Sequence, residues 1–368
     1  MPLPAISRLV ARTLVNFAIV IVAIAFVLSL IFAIQAQKYL EGLAIDIYNV
    51  QARTLTEQLA RAGYNQTYIN MKLQELNQTI YRNLGLSMPW EQRVLLYTTW
   101  LLLFNFNAFQ ARQIYPTGTG SAAMVVYGAL KNTVILFTTA TVVELLIAIL
   151  VGLATGKRAG GILDKAIVGF ALLTSSVPMW WMGLVFLFAF SYKLGIFPMA
   201  SKDVFIALAN LEAQRASLGP MYYLDVLATW VRYMTLPLIT IVFVTFGAST
   251  YTVRSIVIGT LREDFVVVAR AKGLPERSVL YKHVLRAASP PIVTMVALSV
   301  IGSLGGAIIS ETVFQWPGMG YTFWIAISSG DTGVLVVNTW ITVLLFIVVV
   351  FVLDFVYMLL DPRIRAGG

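Results

Sequence analysis

Cysteine is absent from this chain of 368 residues, and histidine occurs once, at His283. No disulfide framework or thiolate metal site can be built, and imidazole chemistry has a single group to draw on. Charge is scarce too. Asp, Glu, Lys and Arg make up 12% of the residues against 59% hydrophobic, which excludes a water-soluble fold for most of the chain. A G-x-x-x-x-G-K-[ST] phosphate loop is also missing. The nearest string, Gly152 to Arg158, has the wrong glycine spacing and an Arg after the Lys.

What is there instead is long apolar runs. A hydrocarbon core about 30 Å thick needs about twenty apolar residues per helix. Six stretches qualify, at about 14–36, 124–154, 166–192, 232–258, 291–312 and 333–359. They predict an all-α integral membrane protein with six transmembrane helices. Arg8 and Arg12 precede the first run as in a secretory signal, but Leu14 to Ile34 is longer than a signal core. Ala36, Gln37 and Lys38 offer no small-x-small cleavage site, so an uncleaved anchor is expected.

Basic residues set the expected orientation. Arg8 and Arg12, then Lys157, Arg158 and Lys165, then the six Lys and Arg between Leu261 and Pro291, then Arg363 and Arg365 alternate onto one side. That side is expected to be cytoplasmic, with both termini inside and residues 37–120 and 193–231 outside. The formal charge of +9 then calls for a lipid bilayer and for no nucleic-acid partner.

The outer segment 37–120 reads as helical. Ala44 to Leu59 and Tyr68 to Leu84 are rich in helix formers and flank the turn string AGYNQ, Ala62 to Gln66. Two NQT triplets, at Asn65 and Asn77, match the N-glycosylation acceptor pattern. Val94 to Phe109 is apolar but short and interrupted by Asn105 and Asn107, which favours an interfacial helix over a further span.

The polar interruption from Leu261 to Pro291 reads as two short helices. Asp264 suits an N-cap, Gly273 the left-handed residue after a helix, and Pro275 the first turn of the next helix; Pro290 and Pro291 are expected to end that second helix. Val279, Leu280, Val284 and Ala287 share one arc at 3.6 periodicity, opposite Ser278, Lys282, Arg286 and Ser289. His283 fits capping or packing better than acid–base work. A docking element and an ordinary basic loop both fit this composition.

Within the spans, Glu144 sits near the middle of the second, where an unpaired carboxylate costs roughly 2.5–3.5 kcal/mol. It either lines a pathway for a cationic or hydroxyl-rich solute or bonds to a neighbouring helix. Trp180 and Trp181 follow Pro178, which kinks the third span, and serve either a pathway or packing. Arg254 is expected to snorkel to the interface, and Asp354 to pair near the inner face. No histidine or thiol cluster suggests a metal site.

ARAKGL, Ala269 to Leu274, followed by ERSVLYKHVLRAA, resembles the signature loop of ATP-binding cassette importer permeases of the dipeptide, oligopeptide and nickel branch. ETVFQWPGMG, Glu311 to Gly320, resembles the family's segment after the fifth span. DFVYMLLDPRIR, Asp354 to Arg365, is similar to its ending, and SVPMWWMGLVF and KLGIFPMAS, from Ser176 and Lys193, to its third span and following loop. Together these cover most of residues 120–365 in the family's order. The Glu and two Ala positions of the wider signature hold Val267, Val268 and Ala269 here, so the Glu and the first Ala are absent.

The resemblance implies the type I importer permease fold in the cell membrane. Residues 1–36 would be the cytoplasmic N-terminus and first helix, 37–120 a helical extracytoplasmic insertion, 121–360 a five-helix core with a coupling loop at 259–290, and 361–368 a cytoplasmic tail. It implies an ATPase-coupling surface at Val267, Val268, Ala269, Arg270, Ala271, Lys272, Gly273, Leu274 and Arg277. Ala269 and Ala271 would permit close approach and Arg270, Lys272 and Arg277 would pair with the partner, lipid headgroups being the alternative contact. Trp316, Pro317 and Gly318 would stand at an outer gate, and Glu144, Trp180 and Trp181 along the substrate pathway. This chain would bind no cofactor, with ATP and Mg on two partner ATPase subunits; a second, different permease chain and an extracytoplasmic solute-binding protein complete the assembly. Peptides are the first expected solute and oligosaccharides the alternative. An ion-coupled secondary transporter using Glu144 and Asp354 is the reading from another class.

Overall fold

The computed structural model describes residues 3–35, 37–84 and 86–360, and among them the chain is helical, with one isolated bridge between Gln110 and Ser121. In chain order the helices are α1 (Leu3–Gln35), α2 (Gln37–Arg61), α3 (Gln66–Asn83), α4 (Trp90–Leu102), α5 (Ala122–Lys157), α6 (Ile162–Ser175) and α7 (Met179–Phe186). There follow α8 (Val204–Ala213), α9 (Arg215–Leu218), α10 (Met221–Leu261), α11 (Asp264–Ala271), α12 (Glu276–Ser278), α13 (Leu285–Phe314), α14 (Met319–Ser329) and α15 (Thr332–Leu360). Two compact units result, one of residues up to Ala129 with Thr322–Ile347, the other of Leu130–Tyr321 with the chain from Val348 onward.

In the first unit α1 packs along α4, and α2 along α3. Gly63, at φ 81°, turns the chain out of α2. Asn65 then caps α3, its side-chain oxygen accepting the Tyr68 N–H at 2.9 Å. Leu40, Leu43 and Ala44 pack on Ile80 and Leu84, and the two expected helices exist, α2 reaching beyond 44–59 at both ends and α3 starting two residues before 68 and ending at Asn83. The short apolar segment is α4, followed by a 3₁₀ turn at Phe106–Ala108, and its Tyr97 and Trp100 rings pack on Phe109. Asp331, fully buried, caps α15 through the Val334 N–H and also accepts the Arg112 N–H at 2.9 Å.

In the second unit α10 packs chiefly on α6, where Phe170 meets Phe243 and Phe246. Near its other end α10 crosses α5 closely. A Cβ on Gly152 or Gly156 would come within 2.7 Å of Val253 or Val257, so the spacing of small residues lets the backbones approach.

Among the described residues four helices are long and apolar enough to cross a membrane: Val15–Ile34, Ala122–Lys157, Met221–Leu261 and Thr332–Val352. A fifth span forms if Ile162–Ser175 and Met179–Lys193 count as one. The expected 291–312 span lies within α13, whose 30 residues give a length of about 45 Å.

Two expectations are corrected here. The third span, expected over 166–192 as a helix kinked at Pro178, is instead broken there into α6 and α7, which meet at a bend of 97°. Pro178 has no N–H to donate and pushes Val177 out of helical geometry, so α6 stops at Ser175 and α7 restarts with Pro178 as its N-cap. Pro290 and Pro291, expected to end a helix, lie inside α13. Pro290 leaves the Arg286 carbonyl without its helical donor, and the Ser289 hydroxyl bonds that oxygen at 2.9 Å. Pro237 inside α10 does the same to the Tyr233 carbonyl, which the buried Ser201 hydroxyl satisfies at 3.1 Å.

Candidate functional site

The polar interruption folds as the predicted hairpin, with shifted details. Glu263, not Asp264, is the N-cap of α11, and Asp264 is its first helical residue, where its charge suits the helix dipole. Lys272 is the C-cap, and Gly273 follows at φ 71°. The Leu274 N–H reaches back to the Ala269 carbonyl at 3.3 Å, the bond pattern of a left-handed helix stop that glycine adopts without strain. Pro275 is the N-cap of α12 and not a residue of its first turn.

One face of the hairpin is fixed to the spans. Val266 and Ala269 of α11, with Val279 and Val284 beyond it, pack into one cluster with Ala148 and Leu153 of α5, Val253 and Val257 of α10, and Ala288 and Ile292 of α13. Each fully buried valine contributes on the order of 1.5–3 kcal/mol, enough to hold so short a hairpin rigid. Ala287, expected on this face, is exposed and Ala288 is buried instead. The cause is a π-helical turn at Val279–Val284, whose extra residue per turn advances the buried stripe by one.

The opposite face is open. Val267 is 60% and Val268 52% exposed, and Phe265, Arg270, Ala271, Lys272, Gly273, Leu274 and Arg277 are exposed with them. Ala269 is the exception among the expected coupling residues: it faces inward and serves packing. Arg270 forms a two-bond ion pair with Glu276, at 2.9 and 3.3 Å, and holds that carboxyl below the usual carboxylate range, with Lys157 adding to the effect. His283, half-buried, lies in the π turn.

A second feature is a cavity of about 520 Å³ among α5, α6, α7, α10 and α13. Glu144 lines it, buried, and accepts a short hydrogen bond from the Ser249 hydroxyl. Thr141, Ser175, Thr245 and Ser310 add hydroxyls to its wall, and Phe137 and Trp180 add rings. Trp180 therefore joins Glu144, whereas Trp181 is exposed outside the lining. Glu144 thus bonds a neighbouring helix, as one of its two expected uses requires, and also faces a cavity.

The expected outer-gate residues lie in a closely bonded loop. Trp316 is fully buried, and its indole N–H donates to the Asn132 carbonyl at 3.1 Å while the Asn132 amide donates to the Pro317 carbonyl at 2.8 Å. Gln315, at φ 49°, turns the chain back after α13. Glu311, 1% exposed, accepts the Thr133 hydroxyl and the Gly320 N–H, each at 2.7 Å, and the Tyr321 N–H at 3.2 Å. Thr133 in turn accepts the Met319 N–H at 2.7 Å. One carboxylate thus closes the loop and caps α14. Asn132, Thr133 and Glu311 were not foreseen as a group. The signal was a second carboxylate at the edge of an apolar run, but nothing in the sequence joins it to partners so far away along the chain.

Arg254 does not snorkel alone; it forms a two-bond ion pair with buried Asp164, which also accepts the Gly160 N–H at 2.7 Å. The side chain of Asp354 lies outside the described residues. Asn65 is committed to capping α3, and Asn77 is exposed on the same helix. Among the described residues no three carboxylate or imidazole groups converge as a metal site.

The family model for the "binding-protein-dependent transport system inner membrane component" matches residues 145–366. Among curated proteins, an oligopeptide transport system permease protein of Bacillus subtilis is 28% identical over 66% of this chain and 71% of its own. A di/tripeptide transport system permease protein of Pseudomonas aeruginosa is 33% identical over 59% of this chain and 65% of its own. A dipeptide transport system permease protein of Escherichia coli K12 is 31% identical over 60% of this chain and 66% of its own. The matched stretch spans about two thirds of these relatives' length.

Proposed function

Because this chain belongs to the family of binding-protein-dependent transport system inner membrane components, we propose that it is a permease subunit of an ATP-driven importer of peptides. It is a transport subunit and not an enzyme. The three relatives described are each named for peptide transport, which favours peptides over oligosaccharides. In this reading six helices span the cell membrane, α6 and α7 together forming the third, with both termini cytoplasmic and residues 37–120 outside.

The observation that carries the reading is the two-faced hairpin. An apolar, cation-bearing surface at Val267, Val268, Ala271 and Lys272 stands open on an element whose other face is buried against three spans. A partner ATPase that closes on ATP would move this hairpin as a lever and tilt α5, α10 and α13. A second permease chain would complete the pore, and a solute-binding protein would deliver the peptide from outside. ATP and Mg would be held by the two ATPase subunits. The solute crosses unchanged, by alternating access.

The test is reconstitution in liposomes with candidate ATPase and second-permease chains, the tag being on this chain. Co-purification and ATP-dependent peptide uptake are expected. Purification of this chain alone with uptake driven by a proton gradient overturns the proposal and favours a secondary transporter.

The cavity at Glu144 serves here as a waypoint for the solute. Glu144→Gln replaces the carboxyl group with an amide of the same shape and keeps the Ser249 contact. It is expected to raise the KM for peptides with a free amino terminus by roughly tenfold, the scale of one charge-assisted hydrogen bond, without lowering assembly. Uptake kinetics identical to wild type take Glu144 off the pathway.

A further inference from the structure

Where the apolar run of α5 stops at Lys157, the second unit carries another cavity, of about 780 Å³. Lys157 and Arg158 reach it from the end of α5, and Arg277 from α12, all three exposed. Its one carboxylate, Asp164, does not offset them. Both of its oxygens are engaged, by the Arg254 guanidinium and the Gly160 N–H, and neighbouring Glu276 is held by Arg270. Leu153, Leu163 and Leu280 make the rest of the wall largely apolar. Ile162, at its rim, is 91% exposed, an isoleucine displayed beside two cations at the end of a span.

We propose that this groove binds an anionic phospholipid. The headgroup phosphate would lie against Lys157, Arg158 and Arg277, and an acyl chain along Leu163 and Ile162. The match is one of charge and of polarity: three exposed cations, of which Lys157 lies within electrostatic reach of the already paired Glu276, stand above an apolar wall at the end of a span. Of these residues only Arg277 also belongs to the open hairpin surface, and Lys157, Arg158, Ile162 and Leu163 lie apart from it at the end of α5 and on α6. The inference goes beyond the coupling role and holds for any membrane protein with this groove.

The experiment titrates the purified full-length chain in detergent with dioleoyl-phosphatidylglycerol or dioleoyl-phosphatidylcholine, reading bound lipid by native mass spectrometry and thermal unfolding. The wild type is expected to retain phosphatidylglycerol and melt higher in it, and to show neither effect with phosphatidylcholine. The K157Q/R158Q/R277Q variant is expected to lose phosphatidylglycerol affinity by about tenfold or more. The K282Q/R286Q variant removes the same kind of exposed charge outside the groove and is expected to behave as wild type.

Equal loss in both variants overturns the proposal in favour of a diffuse basic surface. Competition by glycerol phosphate as strong as by the lipid makes the groove a soluble-phosphate site and overturns it too. So does unchanged lipid binding by the groove variant together with lost ATPase co-purification, which assigns the groove to a protein partner. A groove variant with no wild-type-like melt in phosphatidylcholine is replaced by Ile162→Ser, which keeps the charges and is expected to weaken lipid retention alone.

Discussion

Gly318→Ala is expected to abolish import and to lower the thermal midpoint of the protein by several degrees, although alanine adds a single methyl group. That methyl would overlap both carboxylate oxygens of Glu311 and the Thr133 hydroxyl. None of these atoms can step aside cheaply. Glu311 is held by Thr133 and by the Gly320 and Tyr321 N–H groups, and Thr133 is held by the Met319 N–H. Moving the carboxylate leaves buried donors unpaired, at about 1–3 kcal/mol each, and moving the loop pulls Trp316 from its pocket. Glu311→Ala removes the hub itself, leaves the Thr133 hydroxyl and the Gly320 and Tyr321 N–H groups without their acceptor, and is expected to cost about 3–5 kcal/mol, the scale of two or three unpaired buried donors. Glu311→Gln keeps the shape and two of the acceptor contacts and is expected to fall between. Membrane yield, melting and uptake of the three variants check this. A Gly318→Ala protein that melts and imports as wild type shows that the loop is looser than the hydrogen bonds indicate.

Gly273→Asp is the second large effect, and it separates folding from coupling. An added Cβ at Gly273 meets nothing within 4 Å, so the substitution leaves packing alone and costs only the strain of a left-handed residue, about 1 kcal/mol. The buried valines opposite outweigh that. The hairpin is therefore expected to stay folded while a carboxylate projects from the face proposed to meet the ATPase, among Val267, Val268 and Lys272. ATP hydrolysis in the reconstituted complex is expected to lose its stimulation by transport, by tenfold or more, with melting shifted only slightly. Wild-type coupling in this variant removes the exposed face from the docking surface. A large drop in melting instead makes Gly273 a folding residue.

The parts of this chain governed by hydropathy and local chain geometry were legible in its sequence. Apolar length located the four helices long enough to cross a membrane and the bent pair α6 and α7, and Gly273 and Pro178 marked a stop and a bend at the right residues. The size of the bend was not legible, because a proline dictates which bond is missing and the packing on both sides dictates the angle. Ala287 and Ala288 exchanged places because a π turn obeys no sequence period and arises where packing favours an extra residue. The family resemblance set Trp316 at an outer gate and said nothing of its packing. Its burial depends on Asn132, 184 positions earlier, a pairing no local pattern encodes. At the cavity, Glu144 and Trp180 were legible as unusual residues, but the hydroxyls around them look like ordinary helix content until four helices bring them together.

Two serines that fill in for proline, Ser201 at the Tyr233 carbonyl and Ser289 at the Arg286 carbonyl, give this protein points of reversible flexure. An uninterrupted helix resists bending because every turn is tied to the next. At these two places the tie is a hydroxyl on a rotatable side chain, and it can let go and re-form while the rods on either side stay whole. Motion through α10 and α13 would then collect at two chosen joints instead of being smeared along their length. Each joint costs one exchangeable bond to open, so the working stroke can be large while the barrier to it stays small.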